Sequence, residues 1–188
     1  MPENDNPATR FDAPIPHLLD GADEDEIAIN VGLGLVAREA AAVEYVLHGI
    51  YVHLADVPNA YADSSAVATG GGLVKRCNAQ LLKSSLPAAD QDELAAALSD
   101  ADRHFQQRNR YLHGYWRFDE ESHQWLTLKG GHGMKRAEIT FVASEEVWEL
   151  AEGLRNLHHR LLDWDLGHFG EMTETEGGHQ VVASVKRS

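Results

Sequence analysis

The sequence predicts a mainly α-helical fold, a bundle of four or five helices with a small β-hairpin or sheet inserted between the last two. Apolar residues recur at alternating four- and three-residue intervals through most of the chain, which is the period of one helix face. The pattern lapses over about 115–142, where short runs rich in aromatic and β-branched residues alternate with turn residues. A composition of 43% hydrophobic and 24% charged residues over 188 positions is that of one globular domain with a well-buried core.

Residues 1–22 hold four of the six prolines (Pro2, Pro7, Pro14, Pro16) and no periodic apolar face, so they read as a mobile arm. The helical domain then spans 23–166. Asp23-Glu24-Asp25-Glu26 places four acids at the positive end of a helix dipole. Behind them Ile29, Leu33, Val36, Ala40, Val43, Leu47, Ile50 and Leu54 form an unbroken seam. Val31, Leu35, Ala42 and Val46 widen it, so this helix, over 26–54 and roughly 40 Å long, packs on more than one side. Arg38, Glu39 and Glu44 within it exclude a membrane span. Gly32 and Gly34 weaken it and suggest close approach of another helix.

Pro58-Asn59 opens a loop, and Gly70-Gly71-Gly72 precedes a shorter helix through Leu73, Val74, Cys77, Leu81 and Leu82, ended by Leu86-Pro87. The triple glycine has neither a following Gly-Lys-Ser/Thr nor a strand before it, which argues against a nucleotide loop. Asp90, Asp92 and Glu93 open a third helix with its seam at Leu94, Leu98, Ala101 and Phe105. Strands follow at Tyr115–Phe118, Gln124–Leu128 and, past a Gly130–Gly133 link, Ile139–Val142. Ser144 is the expected N-cap of a last helix with the seam Val147, Leu150, Leu154, Leu157, Leu161 and Trp164. Glycines and polar residues over 167–188 read as a second loose tail.

The net charge of −14 argues against indiscriminate coating of nucleic acid, but it is unevenly placed. Residues 64–137 carry ten Lys/Arg against eight acids, and residues 103–118 carry four Arg, two His and no acid. The lone Cys77 permits no disulfide and reads as a buried, inert thiol. Eleven histidines invite a metal reading, but no His-Glu-x-x-His occurs, and neither a metal nor a cofactor is expected. The acidic N-terminus lacks the basic flank and apolar run of a secretion signal, so a cytoplasmic protein is expected.

The third helix ends in Arg108-Asn109-Arg110-Tyr111-Leu112-His113-Gly114, and the next positions on its seam are Arg108 and Leu112. An arginine on a core-facing stripe must be paired or face a cleft, because desolvating an unpaired charge costs several kcal/mol. A buried acid such as Glu44 on the long helix would make a structural pair and leave a non-catalytic bundle. Read instead as a motif, Arg108-Asn109-x-x-x-His113 at the end of a bundle helix resembles the signature of HEPN domains. These helical proteins include many prokaryotic ribonuclease toxins and defence effectors.

The resemblance implies a two-fold homodimer with both motifs facing one cleft, and a metal-independent endoribonuclease site there. It further implies RNA as substrate and an antitoxin or regulatory protein as partner. His113 and Arg108 would be the catalytic pair, Asn109 would position His113 or a phosphate oxygen, and Arg110, Arg103 and Tyr111 would contact the substrate. The competing reading is an inactive helical interaction module or a nucleotide-binding regulatory one. Five residues along a regular helix turn Arg108 about 140° away from His113. Either the helix end is irregular near Gly114 or the site is completed across a dimer.

Overall fold

The computed structural model describes residues 21–55, 69–129, 138–175 and 178–183. It contains α1 (Glu24–Ala55), α2 (Gly70–Leu81), α3 (Ala88–His113), β1 (Tyr115–Asp119), β2 (Gln124–Lys129), β3 (Glu138–Val142), α4 (Ser144–Phe169), β4 (Gly170–Thr175) and β5 (Gly178–Ala183). The fold is mainly helical, with an antiparallel three-stranded sheet in the order β1-β2-β3 between α3 and α4, as the sequence predicts. The proposed 1–22 arm, up to residue 20, the loop begun by Pro58-Asn59 and the Gly130–Gly133 link lie outside the described residues.

Three of the four helices start where a side chain supplies an acceptor. The Asp23 carboxylate accepts from the Glu26 amide at 2.7 Å at the head of α1, and the Thr69 hydroxyl accepts from Gly72 N at 3.2 Å at the head of α2. Ser144 is not the N-cap of α4: it is the first helical residue, Ala143 is the cap, and the Glu146 carboxylate accepts from the Ala143 amide at 3.2 Å. Pro87 likewise starts α3 rather than stopping α2, which ends at Leu81 and leaves Leu82 exposed.

The long α1 is the spine. Its buried Val36, Val43, Leu47 and Ile50 meet Leu73 and Cys77 of α2, Leu94, Leu98 and Phe105 of α3, and Val147, Leu154 and Leu161 of α4 in one core. Each such side chain taken from water contributes about 1.5–3 kcal/mol. Trp148 Nε1 donates to Ala28 O, Arg155 meets Glu39, and Asp165 meets His53. These pairs ascend together along both helices, so α1 and α4 run parallel. The pairs Asp100–Arg160 and Asp90–His168 descend against each other, making α3 antiparallel to α4.

Gly32 is a contact glycine: a Cβ there would sit 2.9 Å from Val147 Cγ1, whereas nothing lies within 4 Å at Gly34. The expected close helix approach therefore occurs at the first of the two. The expected loose tail over 167–188 requires correction. α4 continues to Phe169, which stacks on His53 with ring centroids 4.9 Å apart, and β4 and β5 pair from Gly170↔Ala183 to Thr175↔Gly178. Glycine and polar composition masked a two-stranded ribbon whose β-branched Thr173, Thr175, Val181 and Val182 suit a strand.

Candidate functional site

The third helix presents the motif at its C-terminal end, directly before the sheet. Arg108 is buried enough to need a partner and has one: its side chain is 18% exposed, and Nη2 donates to Glu44 Oε1 of α1 at 2.5 Å. Its Nη1 donates to Asn109 Oδ1 at 3.0 Å, and the guanidinium carbon lies 5.6 Å from the Phe105 ring centroid. Nε is buried and has no hydrogen-bond partner among the described residues.

Glycine allows α2 to begin against this pair. A Cβ on Gly70 would come within 2.6 Å of the Phe105 ring and 2.8 Å of Glu44 Oε1. The Glu44 carboxylate therefore lies at the positive end of the α2 dipole as well as beside the arginine. The triple glycine has a packing reason at its first member. His48, one helical turn beyond Glu44, has a buried Nδ1 without a partner among the described residues.

His113 is the last residue of α3 and is exposed. The α-helix runs unbroken through it, so an irregular helix end does not bring Arg108 and His113 onto one face. Gly114 then turns the chain tightly, since a Cβ there would meet Arg110 O at 2.6 Å and Thr127 Cβ at 3.2 Å. Arg110, half-exposed, reaches Glu138 of β3 at 3.6 Å and ties the helix end to the sheet. Arg103 is exposed and pairs with Asp100 at 3.0 Å.

Tyr111 is a core residue, 2% exposed, and this overturns its assignment as a substrate contact. Its hydroxyl accepts from Gln107 Nε2 at 3.2 Å, and its carbonyl accepts from Trp116 Nε1 at 2.8 Å. Burial raises the phenol pKa above its ordinary value, against the smaller opposing effect of Gln107. The seam turns to Tyr111 instead of Leu112, which is only half-buried, because the first strand folds back over that side of the helix.

Other ionisable groups brace the bundle. Burial works to raise the Glu39 pKa, yet hydrogen bonds from Arg38 and Arg155 hold it below the ordinary value. Hydrogen bonding from Arg160 lowers the Asp100 pKa. Burial, helped by Arg103, lowers the His104 pKa, and that ring packs within 2.8 Å of where a Gly153 Cβ would be. Burial, with Asp165 nearby, pushes the Cys77 thiol up to about 12, so it is held as an unreactive thiol. The enclosed His53 Nδ1–Asp165 Oδ1 contact of 2.7 Å was not anticipated. A signal existed, since Asp165 lies four residues after Leu161 and so shares its buried face.

Among the described residues no group of three His, Cys, Asp or Glu side chains is arranged to hold a metal ion. No described helix is long and apolar enough to cross a membrane. In comparisons with known proteins, no family model, no curated protein and no solved structure matches the chain.

Proposed function

We propose that this chain is a metal-independent endoribonuclease of HEPN type whose site is completed between two copies. The observation that carries the reading is the contrast within one helix end. Arg108 is enclosed and held by Glu44 and Asn109, while His113, outside the core, is free to meet a substrate. With the helix regular through His113, the arginine and histidine that serve one phosphate come from different chains.

In the reaction, neutral His113 removes the proton of the RNA 2′-hydroxyl as its oxygen bonds to phosphorus. The bond from phosphorus to the 5′-oxygen breaks, that oxygen takes up a proton, and a 2′,3′-cyclic phosphate remains. Arg108 donates to the oxygens that gain charge in the phosphorane. Asn109 bonds Arg108 in the structure, so its role here is to orient the guanidinium. Arg110, tied to Glu138, and Arg103, tied to Asp100, stand at the rim, where a phosphate would compete with those carboxylates.

The outer face of α1 supports two-fold pairing of the spine helices. It exposes Val31, Gly34, Ala37, Ala41 and Tyr45, with Arg38 the single charge among them. A helix apolar on both its inner and outer faces is one that packs on both. The biological setting this reading implies is a toxin or defence effector restrained by an antitoxin or regulatory partner.

A second reading is favoured by one observation: the Arg108 charge is already neutralised by Glu44. Under it the bundle is an inactive interaction or regulatory module. Cleavage of single-stranded RNA by the wild-type chain, lost in His113→Ala with helicity retained, is expected of the enzyme. A wild-type protein that cuts no RNA leaves the regulatory module as the answer.

A further inference from the structure

The first halves of α1 and α4 enclose a groove that the motif does not use. The two helices run parallel there, and Gly32 lets them approach, since a Cβ on it would meet Val147 Cγ1 at 2.9 Å and Trp148 Nε1 at 3.4 Å. Trp148 lies across the groove with Nε1 donating to Ala28 O at 3.2 Å, yet it remains 43% exposed. An indole fixed by a hydrogen bond over a glycine is ordered before any partner arrives, so little conformational freedom is lost when its open face is covered. Ala28, Leu35 and Ala151 continue the apolar floor of a hollow of about 910 Å³. From Glu24 to Leu35 its α1 wall is about 16 Å long.

The rim selects the occupant by charge. Residues 21–37 and 143–154 contain eight acids and no lysine, arginine or histidine. Glu24, Asp25, Glu145, Glu149 and Glu152 line the groove, and none of them is in an ion pair among the described residues. Helix dipoles account for the acids in the first turns of α1 and α4, but Glu149 and Glu152 lie beyond that reach. The one cation lining the groove, Arg155, is already tied to Glu39 at 3.3 Å. Carboxylates at 145, 149 and 152 are four and three residues apart, so they stand in a row along one face of α4. A second hollow shares Asp25, Ser144 and Glu145 and adds Glu146 and Phe141, which extends the acidic surface around the head of α4.

A second copy of this chain would bring the same carboxylates against these and be repelled. The chain's own segments outside the described residues fit no better. Residues 1–20 carry four acids against one arginine. Residues 184–188 include Lys186 and Arg187, but they follow Ala183, which pairs with Gly170 at the far end of α4. Five residues span at most about 18 Å, whereas Gly170 lies about 33 Å along the helix from Trp148. Residues 130–137 join β2 to β3 at the Lys129↔Glu138 end, opposite the end of β3 that leads into α4.

We propose that this groove docks a basic amphipathic helix of another protein, its apolar side on Trp148 and Leu35 and its lysines or arginines among the carboxylates. An indole face and unpaired carboxylates both attract a cationic side chain, and an apolar-floored groove between helices receives a further helix by its apolar stripe. The inference does not rest on the ribonuclease reading, and its test involves no RNA. The probe is a fluorescent helix-forming peptide with arginines on one face and leucines on the other, titrated with the full-length protein by anisotropy at physiological ionic strength. The exposed pair Glu149→Gln/Glu152→Gln and the single change Trp148→Ala are each expected to weaken binding about twofold to thirtyfold. Trp148→Phe, which keeps a ring, should lose less. Asp92→Asn/Glu93→Gln removes as much charge near the start of α3, beside the far end of α4, and should bind as the wild type does. A peptide with serine in place of leucine should bind more weakly, and one with glutamate in place of arginine should not bind.

Absence of binding by the wild type overturns the proposal. So does an equal loss in the Asp92/Glu93 control, or equal binding of the serine peptide, since either means attraction to net charge alone. A changed solution mass of the Glu149/Glu152 variant with unchanged peptide affinity overturns it in favour of contact between copies. Should Trp148→Ala fail to fold, the glutamine pair and Trp148→Phe decide the matter.

Discussion

Replacing Arg108 by alanine removes one half of an ion pair that joins α3 to α1, and the cost can be worked from its surroundings. Breaking a fully buried pair costs about 3–5 kcal/mol, because the remaining charge is left in a poorly solvated place. Here the arginine and Glu44 side chains are 18% and 29% exposed, so water reaches the stranded carboxylate. The positive end of α2 beside Gly70 offsets about 0.3–1 kcal/mol more. Loss of the Phe105 contact adds about 0.5–1 kcal/mol in the other direction. The expected destabilisation is therefore about 2–4 kcal/mol, or about 5–15 °C in Tm for a domain of this size. Urea unfolding followed by far-UV circular dichroism measures it as a lower midpoint at constant slope. Glu44→Gln in the same background should recover part of the loss, giving a coupling energy above about 1 kcal/mol. A midpoint within error of the wild type, or additive single and double variants, would refute the reasoning that this pair fastens the motif to the spine.

The glycines give opposite signs within one helix. Gly34→Ala has open space around it and should stabilise by about 0.5–1 kcal/mol, whereas Gly32→Ala must displace Val147 and Gly70→Ala must displace the Phe105 ring, each costing about 1–3 kcal/mol; equal midpoints for Gly34→Ala and Gly32→Ala would contradict the packing. His104 has a folded-state pKa below its unfolded value near 6.5, so its contribution is fully present above that pH and declines as pH falls through about 6.5 and below. His104→Gln should flatten the slope of stability against pH in that window, and an unchanged slope would show the ring titrates normally. Cys77 should resist a thiol reagent at mildly alkaline pH until the protein is unfolded, and rapid modification of the native state would contradict its enclosure.

The helices were legible because their seams persist for many turns, and the buried set on α1 follows the four-three spacing from Ile29 to Ile50. The Glu44 partner was also legible, since an arginine at a core position demands an acid and few acids lie on the facing helix. Tyr111 was misread because periodicity alone cannot show that β1 folds back over the end of α3 and covers it. The purpose of Gly70 depends on how close α2 comes to Phe105, a three-dimensional fact without a local signal. The β4–β5 ribbon was missed because its glycines outweighed its β-branched residues. For Arg108 and His113, the spacing alone leaves open an irregular helix end or a site shared between chains; the helix is regular through His113, so the proposed site depends on the second.

That arrangement is tested most directly by mixing two inactive proteins. If the chain is the proposed homodimer, Arg108→Ala and His113→Ala chains unfolded and refolded together should give dimers of which half are mixed. Each mixed dimer has one site with both an intact arginine and an intact histidine if the pair is shared between chains. Incubated with single-stranded RNA, the mixture should recover about a quarter of the wild-type cleavage rate, with 2′,3′-cyclic phosphate ends, while neither variant alone cuts. A mixture as inactive as its components, beside an active wild type, would contradict a site built from two copies.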